Sequence, residues 1–294
     1  MKVCRTIAEL KSSLQEAREN GASVGFVPTM GYLHEGHGSL LREAKAGNDI
    51  AVLSIFVNPM QFGPNEDLDR YPKDEERDLA LALECGIDIV FMPSVQEMYP
   101  KQPKTSVLVS GLTSRLCGAS RPGHFDGVGL VVSKLFHLVK PDKAYFGMKD
   151  AQQVAVIEQM VSDLNLDLEI VPCPTVREPD GLALSSRNVY LSAEQRKDAV
   201  VLSQALTLAK TWIREEGMTA EQMVQRVISH IHGANNAVID YVELLHYPSL
   251  ETIDSEMEMN RISTPVILAL AVKFGTTRLI DNQLYQPVGG IYDV

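Results

Sequence analysis

Apolar residues first recur at helical spacing: Ile7, Leu10, Leu14 and Ala17 predict a helix over residues 6–20, stopped by Gly21. The apolar run Val24-Gly-Phe-Val follows and breaks at Pro28-Thr29 and Gly31. Leu40, Leu41 and Ala44 then resume helical spacing. This reads as a buried strand, a tight turn and a helix start. Residues 49–57 form a continuous apolar run, the kind buried on both faces of a parallel sheet. Residues 74–84 predict a helix with acids in its first turn and Gly86 as its stop; 87–92 predict a further strand, and 105–109 a short one. Residues 121–127 (Arg-Pro-Gly-His-Phe-Asp-Gly) read as a polar loop. Val128, Val131, Val132, Leu135 and Val139 make a helical stripe. A strand over 143–147, a helix bearing Val154, Ile157 and Val161, and a strand over 166–171 complete an alternation that predicts a doubly wound parallel sheet.

The pattern changes after Pro172-Cys-Pro174. Ser192-Ala-Glu-Gln195 reads as a capping box opening a long helix to about Glu216, and Thr219-Ala-Glu-Gln222 as a second. Strands follow over 237–245, 265–274 and 276–281, and the tail after Asn282 reads as peripheral. The α+β character of this part places a boundary near Val176, giving domains 1–176 and 177–294.

Composition narrows the possibilities. A chain of 294 residues suits about two domains, and 45% hydrophobic residues is ample for their cores. The net charge of −11 is diffuse, against the basic patch of a nucleic-acid binder, while leaving room for the few cations an ATP site needs. Cys4, Cys85, Cys117 and Cys173 are scattered without a Cys-x-x-Cys, which suits a reducing compartment and argues against a zinc ribbon. No apolar segment at the N-terminus suggests a signal peptide, and no apolar run approaches membrane-spanning length.

Against that background the stretch 24–41 carries the most chemistry. His34 and His37 sit three apart where a helix begins, after a buried strand and among glycines. A helix N-terminus offers free N–H groups and the positive end of its dipole, which attract phosphate. Imidazoles there can donate to a developing oxyanion. An isolated His-x-x-His is more often an ordinary surface pair. The helical zinc motif needs i, i+4 spacing with a Glu between, so zinc is disfavoured. Asn58 and Gln61 lie just past the strand 49–57, at the end of the sheet where ligands bind in open α/β proteins.

Several motifs occur together in order: Pro28-Thr-Met-Gly-Tyr-Leu-His34-Glu-Gly-His37, Phe56-Val-Asn58-Pro-Met-Gln61-Phe-Gly, Arg121-Pro-Gly-His-Phe, Gly147-Met-Lys149-Asp150-Ala-Gln-Gln153 and Leu184-Ser-Ser-Arg-Asn188. Together they make the chain resemble the pantothenate synthetase (pantoate–β-alanine ligase) family over nearly its whole length. The resemblance implies a cytoplasmic, homodimeric enzyme with a Rossmann-like nucleotidylyltransferase domain and a smaller C-terminal domain. It joins pantoate to β-alanine through a pantoyl adenylate, with ATP giving AMP and pyrophosphate. No tightly bound cofactor, nucleic acid or membrane partner is expected.

By that resemblance His37, His34 and Lys149 are catalytic. ATP would lie against Met30, Gly31, His34, His37, Gly147, Lys149, Asp150, Val176, Ser185, Ser186 and Arg187, with Gly147 and Asp150 at the ribose and Val176 by the adenine. Gln61 and Gln153 would hold pantoate, with Asn58 in support. Magnesium would accompany ATP. Its protein ligand is left open, with Asp78 as one candidate. The chain departs from the family pattern at Gly38, Met148 and Gly129-Leu130, none of them a catalytic side chain. The rival readings are another adenylyl- or cytidylyltransferase, a tRNA-charging enzyme, disfavoured by acidity and length, and an inert nucleotide-binding module. The last would keep the glycines and lose His34, His37, Lys149 and Arg187.

Overall fold

Apolar strands that must hide both faces stack side by side. In the computed structural model, which describes residues 1–64 and 66–286, these are β1 (Lys2–Cys4), β2 (Val24–Thr29), β3 (Ile50–Ile55), β4 (Ile89–Phe91), β5 (Lys143–Gly147) and β6 (Glu169–Cys173). They form one parallel sheet in the order β1-β4-β3-β2-β5-β6. From β2, the chain builds outward through β3 and β4 on one side and through β5 and β6 on the other. The crevice beyond the carboxyl ends of β2 and β5 is therefore the switch point of the sheet.

The helices are α1 (Ile7–Glu19), α2 (Glu35–Ala46), α3 (Glu75–Glu84), α4 (Val95–Met98), α5 (Leu116–Ser120), α6 (His124–Val139), α7 (Ala151–Asp163), α8 (Ala193–Asp198), α9 (Val201–Trp212) and α10 (Ala220–Ile231). Leu40, Leu41 and Ala44 of α2 and Ala82 of α3 share a core with Val27, Leu53 and Val90 of the sheet. The second sheet is antiparallel, β7 (Ala237–His246), β8 (Val266–Phe274) and β9 (Thr277–Tyr285), with β8 in the middle. Leu202 and Leu206 of α9 and Met223 and Val227 of α10 pack with Leu268, Leu270 and Val272 of β8.

The chain divides into two compact units. One holds Met1–Thr113, Arg121–Gly147 and Val156–Cys173; the other holds Ser114–Ser120, Met148–Ala155 and the chain from Pro174 on. The single cut near Val176 expected from sequence differs from this division. Met148–Ala155 belongs with the second unit, where Asn282, 134 residues after Met148, bonds its backbone, a contact no linear pattern reveals.

The doubly wound sheet, the separate α+β part and both expected capping boxes, Ser192 with Gln195 and Thr219 with Gln222, are present. Other expectations fail. Residues 105–109 form no strand: nothing pairs with them, and Leu108 is 70% exposed. The stretch 121–127 is not all loop, since α6 begins at His124 behind Gly123, whose φ of 80° a glycine accommodates. The helix expected from 192 to 216 is two, α8 and α9, and ends at Trp212. The tail is not peripheral at its start, because β9 runs on to Tyr285, which is 2% exposed. Residues 287–294 lie outside the described residues.

Candidate active site

The turn after β2 is held from two sides. Thr29 Oγ1 donates to the Ser54 carbonyl (2.8 Å) and accepts from the Gly31 N–H (3.2 Å). Gly31 and Tyr32 then take left-handed conformations, φ 83° and 52°. A Cβ on Gly31 would lie 2.9 Å from both Asp78 Oδ2 and Ile55 Cγ2, so the turn needs glycine for conformation and for space. Asp78 of α3 is 2% exposed. Its Oδ2 accepts from the Tyr32 N–H (2.8 Å) and its Oδ1 from the Leu33 N–H (2.6 Å). Burial pushes the Asp78 carboxyl above the usual range, more than these two bonds pull it down. The Arg77 guanidinium lies over the Tyr32 ring, 5.1 Å from its centroid.

This turn delivers His34 to the N-cap of α2. The Gly36 N–H points at His34 Nδ1 and the His34 N–H at His37 Nδ1, each at 3.2 Å. A backbone N–H can only donate, so both Nδ1 atoms are acceptors and both rings carry their proton on Nε2. The rings lie 4.1 Å apart, tilted by 40°. The histidines thus cap the helix through Nδ1 and carry their Nε2–H groups at a helix N-terminus, where an anion is favoured.

Beyond β3, Asn58 precedes the short turn Pro59–Gln61. Asn58 is 1% exposed and its amide is fully used inside the protein. Oδ1 accepts from the Met60 N–H (3.2 Å) and the Tyr99 hydroxyl (3.0 Å), and Nδ2 donates to Gln61 Oε1 (3.1 Å) and the Gly127 carbonyl (3.0 Å). Burial pushes the Tyr99 hydroxyl up to about 12, keeping it a donor at ordinary pH. Gln61 Nε2 reaches Met30 Sδ at 3.2 Å. A Cβ on Gly127 would overlap the Met60 carbonyl, so glycine lets α6 lie directly on this turn.

Three further side chains close on the same turn. His124 Nδ1 lies 2.8 Å from the Gln61 carbonyl and its Nε2 3.1 Å from Arg121 Nη1. A carbonyl only accepts and a guanidinium only donates, so His124 takes the Nδ1–H tautomer, opposite to His34 and His37. Arg121 also grips Glu66 through Nε (2.7 Å) and Nη2 (2.5 Å). Burial pushes the Glu66 carboxyl up, but the guanidinium outweighs it and the net shift is downward.

In the second unit, Met148–Asp150 make one tight turn at the head of α7. Lys149 Nζ pairs with Asp150 Oδ2 at 3.2 Å. Gln153 is half-buried on α7, while neighbouring Gln152 is buried and donates to the Arg115 carbonyl (2.9 Å). The Leu184 N–H donates to the Val176 carbonyl (3.0 Å), so a narrow two-armed loop sets Val176 beside the start of the Ser185–Arg187 segment. Ser185 Oγ caps the short helical turn Ser186–Tyr190 by accepting from the Arg187 N–H (3.3 Å), and Asn188 Nδ2 ties it to the Ala183 carbonyl (3.1 Å).

The first unit therefore gathers Met30, Gly31, His34, His37, Asn58 and Gln61, with Gly147 closing β5 at the switch point and open space where its Cβ would be. The second contains Lys149, Asp150, Gln153, Val176, Ser185, Ser186 and Arg187. Sequence reasoning missed the residues that hold these in place: Tyr99, Glu66, Asn282 and the anchoring use of Asp78. Only Asp78 left a signal, a charged residue one turn before the buried Ala82 on the core-facing side of α3. Among the described residues no group of three or more His, Cys, Asp or Glu side chains could hold a metal ion.

A parallel sheet whose central strand runs, at the switch point, into a helix headed by His34 and His37 defines an α/β fold of the nucleotidylyltransferase type. The chain belongs to the pantoate–β-alanine ligase family, whose model matches residues 2–284, and is thus a ligase. It is 55% identical over 286 residues to the pantothenate synthetase of Acetivibrio thermocellus, covering 97% of this chain and 100% of that one. To that of Pelotomaculum thermopropionicum it is 57% identical over 284 residues, covering 97% and 99%. Among solved structures, pantothenate synthetase from Thermus thermophilus superposes with a TM-score of 0.87 at 46% identity, covering 96% of this chain and 98% of that one. The Francisella tularensis pantoate–β-alanine ligase, complexed with β-γ ATP and β-alanine, gives a TM-score of 0.78 at 32% identity, covering 99% of each chain.

Proposed function

We propose that this ligase makes pantothenate from pantoate and β-alanine in two steps. A carboxylate oxygen of pantoate attacks the α-phosphorus of ATP, and the bond to the bridging oxygen breaks to release pyrophosphate. The amine of β-alanine then attacks the acyl carbon of the pantoyl adenylate, loses a proton and expels AMP. The observation that carries this reading is the tautomeric lock on His34 and His37. Two preset N–H donors at a helix N-terminus suit the charge that gathers on phosphate oxygens as pyrophosphate leaves. The relative from Francisella tularensis, complexed with an ATP species and β-alanine, supports the choice of substrates.

In this reading His34 and His37 donate hydrogen bonds through Nε2–H to the α- and β-phosphate oxygens. Lys149, Ser185, Ser186 and Arg187 bind the triphosphate, the arginine by its planar fork. Met30 and Gly31 line the nucleotide, Gly147 and Asp150 meet the ribose, and Val176 lies by the adenine. Gln61 and Gln153 hold pantoate's hydroxyls and carboxylate. Asn58, whose own amide is satisfied internally, acts by fixing Gln61. Magnesium would arrive with ATP, held largely by phosphate and water. Asp78 is a poor ligand for it, because both its oxygens take backbone N–H groups.

The test is isotope exchange between pyrophosphate and ATP. Pantoate alone should drive it, with no β-alanine present. An absolute requirement for the amine would sink the two-step scheme.

A further inference from the structure

The backbone of the turn that carries Lys149 is gripped by a side chain from far along the sequence. Asn282 lies on β9, paired with Ala269 of β8. Its Nδ2 donates to the Met148 carbonyl at 2.9 Å and to the Lys149 carbonyl at 3.0 Å. Both partners can only accept, so the amide must turn its nitrogen toward them, and the two N–H bonds fix its orientation. The strand residue itself is braced. The Asn282 N–H donates to Asp281 Oδ1 (2.8 Å), and the buried Asp281 carboxylate takes Arg177 Nη1 and Nη2 at 2.7 and 2.9 Å. Arg177 Nη1 also donates to the Gly181 carbonyl (3.1 Å), which links this brace to the loop bearing Val176.

We propose that Asn282 is a positioning residue for the ligase reaction, setting the backbone from which Lys149 reaches the triphosphate. This rests on the phosphate-binding role given to Lys149 above. No other neutral side chain of this length offers two N–H groups from one atom to two successive carbonyls. Aspartate has nearly the same shape but reverses both interactions, placing oxygens against oxygens. Serine or alanine leaves at least one carbonyl without its donor. With the grip released, the main chain at Lys149 can rotate while its Nζ keeps its nearby partner Asp150, and the ammonium is drawn off its phosphate-binding position.

The experiment is a double-mutant cycle on the full chain, read as single-turnover pyrophosphate release with pantoate and saturating ATP. Asn282→Asp should slow release by about ten- to a hundredfold, the scale of a misplaced catalytic group. The Michaelis constant for pantoate should barely change. In a Lys149→Ala background the same substitution should add little, because its effect runs through the missing amine. A merely structural asparagine would instead slow both backgrounds by the same factor, and that outcome overturns the proposal. So does a wild-type rate in Asn282→Asp when Lys149→Ala is slow. If Lys149→Ala itself releases pyrophosphate at the wild-type rate, the role assigned to Lys149 fails first and the positioning role falls with it. Thermal melts accompany each variant. Should Asn282→Asp not fold, Asn282→Ala removes both donors without introducing repulsion and is held to the same pattern.

Discussion

Each unit has a turn gripped by a side chain that spans two successive backbone groups, but with opposite polarity. In the first, the Asp78 carboxylate accepts from the N–H groups of Tyr32 and Leu33. In the second, the Asn282 amide donates to the carbonyls of Met148 and Lys149. The difference follows from what each turn exposes. The first runs into a helix N-terminus through two left-handed residues, so its unpaired groups are N–H donors and need an acceptor. The second is a tight turn ahead of α7 that presents two successive carbonyls to β9, so its grip is a donor. The first grip is itself a buried charge, whereas the second is a neutral amide that a buried carboxylate, Asp281, only braces. Charge-assisted bonds are the stronger ones, so the histidine turn should be the stiffer of the two and the only one whose anchor titrates.

The largest expected effect is therefore at Asp78. Asparagine keeps the shape but accepts with one oxygen only, and it turns an NH2 toward a backbone N–H. One buried donor then lacks a partner, at a cost of about 1–3 kcal/mol, and the lost charge-assisted bond adds to it. Urea denaturation of Asp78→Asn should show a clear loss of stability, and pyrophosphate release should slow because His34 is delivered by this turn. An unchanged denaturation midpoint would erase the contrast between the two grips.

Next comes the chemistry each turn carries. His37→Ala should slow adenylate formation by about a hundredfold or more, as loss of a preorganised donor does. It also removes the Nδ1 acceptor from the His34 N–H, so a modest drop in melting temperature should accompany it. Gln153→Ala should weaken pantoate use and leave ATP binding near wild type. The reverse pattern, ATP affinity lost in the glutamine variant alone, would exchange the roles given to the two turns.

Arg187→Ala should be milder. A lost charge-assisted bond is worth about tenfold, and the neighbouring Ser185 cap and Asn188 tether remain. Its melting midpoint should stay near wild type while single-turnover pyrophosphate release slows. A normal rate in the folded variant would make residues 184–188 a connector only.

What could be read from sequence divides along the same line. The elements were legible where burial is continuous or a cap is local. β2 and β3 announce themselves as unbroken apolar runs, and Ser192 and Thr219 lie three residues from their Gln partners. β1 was missed because three residues at a sheet edge carry no period. Residues 105–109 were misread because β-branched residues suggest a strand whether or not a partner exists. The division of α8 from α9 at Ala199 and Val200 involves no Gly or Pro. At the site, the groups proposed to meet substrate lie in short motifs, which sequence alone can pick out. Their supports do not: Asp78 lies 46 residues from Tyr32, Arg121 lies 55 from Glu66, and Asn282 lies 133 from Lys149. Such pairings are set by tertiary packing, to which a single sequence offers no period and no spacing.

The smallest effect, and the most direct test of the contrast, is the pH dependence of stability. Burial raises the folded-state pKa of Asp78. A carboxyl with a raised pKa keeps its proton where the unfolded chain has already released it, so the folded state binds more protons in that window. The slope of unfolding free energy against pH is then negative. Asp78's contribution is fully present below the ordinary carboxylate range and is lost as pH rises through the raised value. Glu66 and Asp240, whose pKa values are lowered, tilt the total the other way. The wild-type curve alone therefore decides nothing, and the difference between wild type and Asp78→Asn isolates the residue. That difference should widen as pH falls through the acid range, by less than about 1.4 kcal/mol per pH unit, the limit for one proton. The matching difference for Asn282→Ala should be flat, because an amide does not titrate. Equal slopes for the two variants would mean that the charge on Asp78 contributes nothing distinctive, and that the two turns are held by hydrogen-bond geometry alone.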